Sequence, residues 1–260
     1  DGRVISLIHK YLNAGVVVGH KFEKTEAGVP QGGPLSPLLS NIMLNELDKE
    51  LQGRGHKFIR YADDLVILCK SKRAGERIMN SVIKFIEEHL LLKVNMDKTS
   101  VVYFNQIKFL GYSFYKTKGE IRFRIHSKSI VKLKAKLREL TSRSNGWGND
   151  KRKSKLSSFI KGWVNYYKYA DILNLMKRID EWYRRRLRMI IWKQWKRLRT
   201  KGRNLIKLGI NKSKAWEYAN TRKSYWRTSK SPILQRSVTN VRLKQAGYIF
   251  FTDYYMQVRV

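Results

Sequence analysis

The sequence predicts an α+β chain in which helices pack on antiparallel strands over residues 1–125, a basic helical bundle follows over 126–200, and a smaller basic region occupies 201–260. Three observations predict this. Two short apolar runs, Phe58-Ile59-Arg60 and Leu65-Val66-Ile67-Leu68, flank Tyr61-Ala62-Asp63-Asp64, which reads as a hairpin with its acids at the tip. From Ser127 onward the apolar residues recur at helical spacing instead. Charge separates the same halves: 16 basic and 12 acidic residues lie up to Tyr115, against 39 and 8 beyond it, where all seven tryptophans also fall.

Asp1 precedes Val4, Ile5, Ile8, Tyr11 and Leu12, a helical stripe for which it serves as N-cap. The segment from Gly28 to Pro37 then holds three of the four prolines and excludes any regular element. Ser36 and Pro37 read as N-cap and first position of a helix whose buried face is Leu38, Leu39, Ile42, Met43, Leu47 and Leu51. A Gly-rich loop feeding a helix start leaves N–H groups for a phosphate or a base edge, or serves as a plain connector. Past the acidic hairpin, Ile78, Val82, Phe85, Ile86 and Leu90 give a helix of about four turns. Strand-like pieces follow at 101–104, 109–112 and 121–125, the last alternating apolar with basic.

In the second half, Ile130, Leu133, Leu137 and Leu140 form one stripe. Leu156, Phe159, Ile160, Trp163, Val164 and Tyr167 form another, and Ile172, Leu175, Met176, Ile179, Trp182 and Tyr183 open a third. Residues 142–154, rich in Ser, Asn, Gly and Lys, read as an exposed loop between the first two. Trp163 and Trp182 lie on apolar stripes, which favours core packing over base stacking. Arg184, Arg185, Arg186, Arg188, Lys193, Lys196, Arg197 and Arg199 form a run without an acid. Solvated charge runs mix signs, so this one reads as a phosphate-tracking face.

A net charge of +35, concentrated in an aromatic-rich and therefore folding half, implies a polyanionic partner, foremost nucleic acid. No apolar run approaches the length of a spanning helix, so a membrane is not expected. Cys69 is the only cysteine; it follows an apolar strand and reads as a small buried hydrophobe, and no disulfide can form within the chain. The five histidines are scattered without zinc-ligand spacing. Asp63 and Asp64 carry the chemistry. On one continuous strand they would face opposite ways, with one driven uncompensated into the core; at a turn both reach water or a cation. Mg²⁺ takes such hard oxygens, although an ordinary Asp-Asp turn would look alike in four residues.

Gly28-Val29-Pro30-Gln31-Gly32-Gly33-Pro34-Leu35-Ser36-Pro37-Leu38-Leu39-Ser40-Asn41, followed by Arg60-Tyr61-Ala62-Asp63-Asp64, Lys98-Thr99 and Phe109-Leu110-Gly111, resembles the palm of a reverse transcriptase encoded by a group II intron. Phe159-Ile160-Lys161-Gly162-Trp163-Val164-Asn165-Tyr166-Tyr167 and Trp192-Lys193-Gln194-Trp195-Lys196 resemble the maturase-specific thumb region of that family, which retron-type enzymes lack. The resemblance implies a partial palm, helices on an antiparallel sheet, over 1–125. It implies a maturase or thumb bundle over 126–200 and a nucleic-acid-binding region over 201–260.

By the same resemblance, Asp63 and Asp64 coordinate two catalytic Mg²⁺ ions, and Pro30, Gln31 and Gly32 line the pocket for template and nucleotide. Lys98 lies near the triphosphate, or is plain surface charge; Phe109, Leu110 and Gly111 form the primer grip; Lys161 joins the basic run in holding RNA. The implied activity is RNA-directed DNA polymerisation with maturase assistance to splicing and mobility; a non-catalytic splicing factor and an inactive remnant are the alternatives. Group II intron RNA, an RNA template with a DNA primer, and target DNA are the implied partners, with a homodimer left open. The family's further metal-binding aspartate would precede Asp1, so the N-terminus is expected upstream and this chain is expected to be incompetent alone. No Cys-pair and His-Asn-His nuclease module follows in the sequence. Bacterial cytoplasm beside the nucleoid is the expected location, with an organelle left open.

Overall fold

A computed structural model describes residues 1–18, 20–23, 33 and 35–259. The Gly-rich segment over 28–32 and Pro34, with the nucleotide-pocket residues Pro30, Gln31 and Gly32, lies outside the described residues. Two compact units divide the chain, Asp1–Tyr103 and Phe104–Val260.

In the first unit, α1 (Gly2–Leu12) starts where Asp1 Oδ1 accepts the Arg3 N–H at 2.9 Å, the N-cap expected of it. Its apolar stripe has no buried residue. Strands β1 (Val16–Val18) and β2 (Lys21–Glu23) pair antiparallel. Helix α2 (Ser36–Gly53) is capped by Leu35, one residue earlier than expected, and Ser36 and Pro37 occupy its first turn. Leu47 and Leu51 are buried as expected, but Leu38 and Ile42 are 56% and 59% exposed, so only the second half of the expected face is covered.

Strands β3 (Lys57–Tyr61) and β4 (Asp64–Leu68) form the expected antiparallel hairpin, with Tyr61 opposite Asp64. Helix α3 (Lys72–Glu88) is capped by Ser71, whose hydroxyl accepts the Ala74 N–H. Leu47 and Leu51 of α2, Phe58 and Ile67 of the hairpin, and Val82 and Phe85 of α3 share one small core. Cys69 is exposed, not buried, because β4 ends at Leu68 and the following residues leave the core face. The strand expected at 101–104 is irregular chain followed by a 3₁₀ turn at Phe104–Gln106.

The second unit opens with the hairpin β5 (Tyr112–Thr117) and β6 (Glu120–Ile125), paired antiparallel. Helices α4 (Ser127–Leu140), α5 (Asn149–Tyr167) and α6 (Leu173–Gln194) follow. The loop before α5 is shorter than expected, since the helix begins at Asn149 and Leu156 is its first apolar residue in the core. Six shorter helices complete the unit: α7 (Leu198–Lys207), α8 (Lys212–Ala219), α9 (Tyr225–Thr228), α10 (Pro232–Ser237), α11 (Asn240–Gln245) and α12 (Phe251–Val258).

The expected stripes do meet: Leu133, Leu137, Leu156, Ile160, Val164, Met176, Ile179 and Tyr183 are buried together. Residues after 200 join that core through Leu205, Ala215, Leu234, Leu243, Phe250, Phe251 and Tyr255. At roughly 1.5–3 kcal/mol for each large apolar side chain buried, the second unit holds a far larger hydrophobic reserve than the first. Trp163 and Trp182 pack against the core, as their stripe position indicates. Among the described residues, no helix is long and apolar enough to cross a membrane.

Candidate active site

The acidic turn is built by β3 and β4. Only Ala62 and Asp63 separate Tyr61 from Asp64, and φ is 52° at Ala62, a left-handed value at the first central position, as in a type II′ turn. That conformation suits glycine, and alanine accepts it at a cost of about 1 kcal/mol. Asp63 then sits in the turn and Asp64 begins β4, both exposed.

Arg60 holds this turn from below. It lies on the less exposed side of β3, in register with Phe58, where strand alternation would place an apolar residue. Its Nε donates to Asp48 Oδ1 at 2.7 Å and its Nη2 to Asp48 Oδ2, a bidentate pair. Nη1 donates to Asn41 Oδ1 and to the Ala62 carbonyl, each at 2.9 Å. The hydrogen bond to Asp48 raises the Arg60 pKa, overcoming partial burial, so the guanidinium stays charged.

Two carboxylates with free oxygens on a fixed turn fit Mg²⁺, which accepts one or two protein carboxylates and completes its octahedron with water and substrate phosphate. Among the described residues no group of three or more His, Cys, Asp or Glu side chains is placed to share an ion. Any ion here would depend on ligands besides these two acids. Lys98 lies on the turn over Asn95–Thr99 with its side chain in solvent.

Phe109, Leu110 and Gly111 belong to the second unit and form another two-residue turn. Phe109 and Tyr112 exchange backbone hydrogen bonds at 3.1 and 2.9 Å, and both central residues are left-handed, Leu110 at φ 50° and Gly111 at φ 79°. This is the φ pattern of a type I′ turn. Helices α4 and α5 enclose it: Tyr166 Oη donates to the Leu110 carbonyl at 2.9 Å, and Tyr112 Oη donates to the Tyr166 carbonyl. The Gly111 carbonyl accepts from the His126 N–H at 3.0 Å and from Ser129 Oγ at 3.1 Å. A Cβ on Gly111 would overlap the Tyr167 hydroxyl.

The acid-free basic run divides into two kinds of residue. Arg185 lies 3.8 Å over the Trp226 ring and donates to the Trp226 carbonyl at 3.1 Å. Arg186 bonds Thr141 Oγ1 and the carbonyls of Arg138 and Thr141, at the C-terminus of α4. Arg188 donates to the Val238 carbonyl, which ends α10, and Lys193 to the Arg143 carbonyl. Burial lowers the pKa of both Arg186 and Arg188. Arg186 and Arg188 thus meet carbonyls at the C-termini of α4 and α10, whose partial negative charge stands in for an acid, while Lys193 meets a loop carbonyl beyond α4. Lys161, Lys196, Arg197 and Arg199 are exposed, whereas Arg184 is half-buried, 5.6 Å from the Phe250 ring centroid.

Sequence reasoning missed Asp48, Asn41, Ser129 and the tyrosine hydroxyls as supports of the two turns. Asp48 had a legible signal: Arg60 interrupts the inward side of a strand and needs an anion, and Asn41 and Asp48 are seven residues apart, two turns along one helix face. The tyrosines carried none, since aromatic stripe positions look alike whether or not a hydroxyl finds a carbonyl.

The family described as reverse transcriptase (RNA-dependent DNA polymerase) matches residues 3–114, and the group II intron maturase-specific domain matches residues 130–209. Protein YkfC of Escherichia coli is 33% identical over 160 residues, covering 47% of this chain and 42% of the relative. Group II intron-encoded protein LtrA of Lactococcus lactis is 25% identical over 268 residues, covering 67% of this chain and 45% of the relative. A retron reverse transcriptase, Ec86 of Escherichia coli, is 34% identical but over 28% of this chain and 24% of its own length. The chain thus spans less than half the length of the first two relatives. The acidic hairpin lies inside the first match and helices α5 and α6 inside the second, so the chain is similar to group II intron reverse transcriptases and maturases over most of its length.

Proposed function

We propose that the protein carrying this chain copies RNA into DNA and binds group II intron RNA, promoting the splicing and mobility of that intron. One observation carries the reading: a pinned, exposed acidic turn within the reverse transcriptase match is followed in the same chain by the maturase match. Asp63, with Asp64 beside it, offers oxygens that need no rearrangement to take a cation. Two Mg²⁺ ions bound there would activate the primer 3′-hydroxyl and stabilise the leaving pyrophosphate. Pro30, Gln31 and Gly32 line the template and nucleotide pocket in this reading, and Lys98 serves the triphosphate.

Phe109, Leu110 and Gly111 seat the primer on a turn too rigid to yield under it. Lys161, Lys196, Arg197 and Arg199, with Arg184, meet RNA phosphates, while Arg185, Arg186, Arg188 and Lys193 act on RNA through the helices they brace. The functional division is a palm over 1–125, a maturase bundle over 126–200 and a target-contacting region over 201–260. The reading sets the protein in the bacterial cytoplasm beside the nucleoid, where intron RNA and target DNA meet.

Primer extension on an RNA template with Mg²⁺ tests this in the complete protein. Losing a mere supporting partner of a metal ligand costs 10–100-fold, so Asp63→Ala should lower extension by about a hundredfold or more. Intron splicing assistance should survive that change and fall when Lys196, Arg197 and Arg199 are neutralised. Unchanged extension by Asp63→Ala removes the acidic turn from catalysis. Wild-type protein that assists splicing without extending a primer selects the non-catalytic splicing factor.

A further inference from the structure

We infer that Arg60 is the positioning residue of the acidic turn, fixing Asp63 by gripping the Ala62 carbonyl while anchored to Asp48 and Asn41 of α2. The inference rests on the proposed role of Asp63 and names a device that serves it. Two features support it. The Arg60 side chain is only 12% exposed although it is charged, and a charge so placed persists only when fully partnered. All three guanidinium nitrogens are used, yet a single anion would satisfy the charge. The surplus contact goes to the one carbonyl in the turn whose residue is held left-handed.

Geometry explains why the anchor is rigid. Asn41 and Asp48 stand two turns apart on α2, so the guanidinium plane is set by a helix and not by solvent. Strain at Ala62 favours relaxation of the turn; the Arg60 hydrogen bond opposes it. A relaxed turn would keep Asp63 in the sequence while losing its place. Lysine could still neutralise Asp48, but a single ammonium cannot span Asp48, Asn41 and the Ala62 carbonyl with the planar fork of arginine. Arg60→Lys therefore separates the charge pair, which serves stability, from the grip on the turn.

The test uses Mn²⁺ as a spin-active probe in place of Mg²⁺. Its affinity is read by electron paramagnetic resonance in the complete protein bound to primer and template, beside the melting temperature and the primer–template affinity. Arg60→Lys is expected to weaken Mn²⁺ five- to tenfold while primer–template affinity stays within twofold and melting within a few degrees. Unchanged Mn²⁺ affinity in Arg60→Lys, with binding lost in Asp63→Asn, overturns the positioning role and leaves the site intact. Unchanged affinity in both variants overturns the metal role of Asp63 and the inference with it. Should Arg60→Lys fail to fold, Asn41→Ala, which keeps the Asp48 pair, takes the same measurements. A weakening of about twofold or more supports the grip, and none overturns it.

Discussion

At the tip of β3–β4 the first turn residue is Ala62 with φ 52°, and at the turn entering β5 it is Leu110 with φ 50°, so both turns hold a side chain in a region that favours glycine. The supports differ. Ala62 is held by a cation whose own partner is an anion on α2, whereas Leu110 and Gly111 are held by hydroxyl and amide donors and by the packed ring of Tyr167. An ion-pair support depends on charge and fork shape; an enclosing support depends on volume. The two turns should consequently fail under different substitutions.

Gly111→Ala is the most severe break. Alanine at φ 79° is strained, and its Cβ would overlap the Tyr167 hydroxyl, so the loss should be about 3 kcal/mol or more. Gly119 provides the control, with φ 84° and open space within 4 Å of where a Cβ would stand; Gly119→Ala should cost only about 1 kcal/mol of backbone strain. Denaturant unfolding of the two variants measures the difference. Equal losses would mean that Tyr167 does not enclose the turn.

Asp48→Ala attacks the other kind of support. It leaves the Arg60 guanidinium largely buried without its anion, for an expected loss of about 3 kcal/mol. Replacing both, Asp48→Ala with Arg60→Met, should recover much of that stability, because no charge remains stranded. Recovery of stability without recovery of Mn²⁺ affinity would distinguish holding the fold from holding the turn. If the double variant is no more stable than the single one, the pair is not what costs the fold.

Tyr166→Phe sharpens the comparison at smaller scale. It deletes the donor to the Leu110 carbonyl while keeping the ring, which should cost about 1 kcal/mol, close to the net worth of one hydrogen bond. A loss as large as that of Gly111→Ala would make the hydroxyl, and not the enclosure, the main restraint.

Much of this was legible in the sequence. The acidic hairpin followed from two apolar runs around Asp63 and Asp64, and α4 to α6 from apolar stripes that do meet in one core. The strand expected at 101–104 was misread because a β-branched and aromatic run looks the same on a strand as in irregular chain. Exposure of Leu38 and Ile42 was illegible because periodicity gives a helix a face without saying what covers it. The basic run taught most. Its lack of acids pointed to RNA, but Arg186 and Arg188 find their partners in the C-terminal carbonyls of α4 and α10. A sequence displays side-chain charge openly and leaves the polarity of helix ends to be inferred.

The smallest expected effect concerns His126, which begins α4 and whose N–H also supports Gly111. Its Nδ1 accepts the Lys128 N–H at 3.2 Å, so the cap requires that nitrogen to be unprotonated. Burial, then the charges of Lys108, Lys128 and Arg124, lower its pKa below the ordinary 6.5. The unfolded chain therefore binds the proton more readily than the folded one. The His126 contribution is fully present above about pH 6.5 and is lost as pH falls through the lower folded value. His126→Asn keeps a capping oxygen and removes the titration. The stability of wild type relative to this variant should decline by up to about 1 kcal/mol between neutral pH and pH 5. A constant difference across that range would mean that His126 binds a proton as readily in the folded chain as in the unfolded one, and that the turn it supports is indifferent to acid.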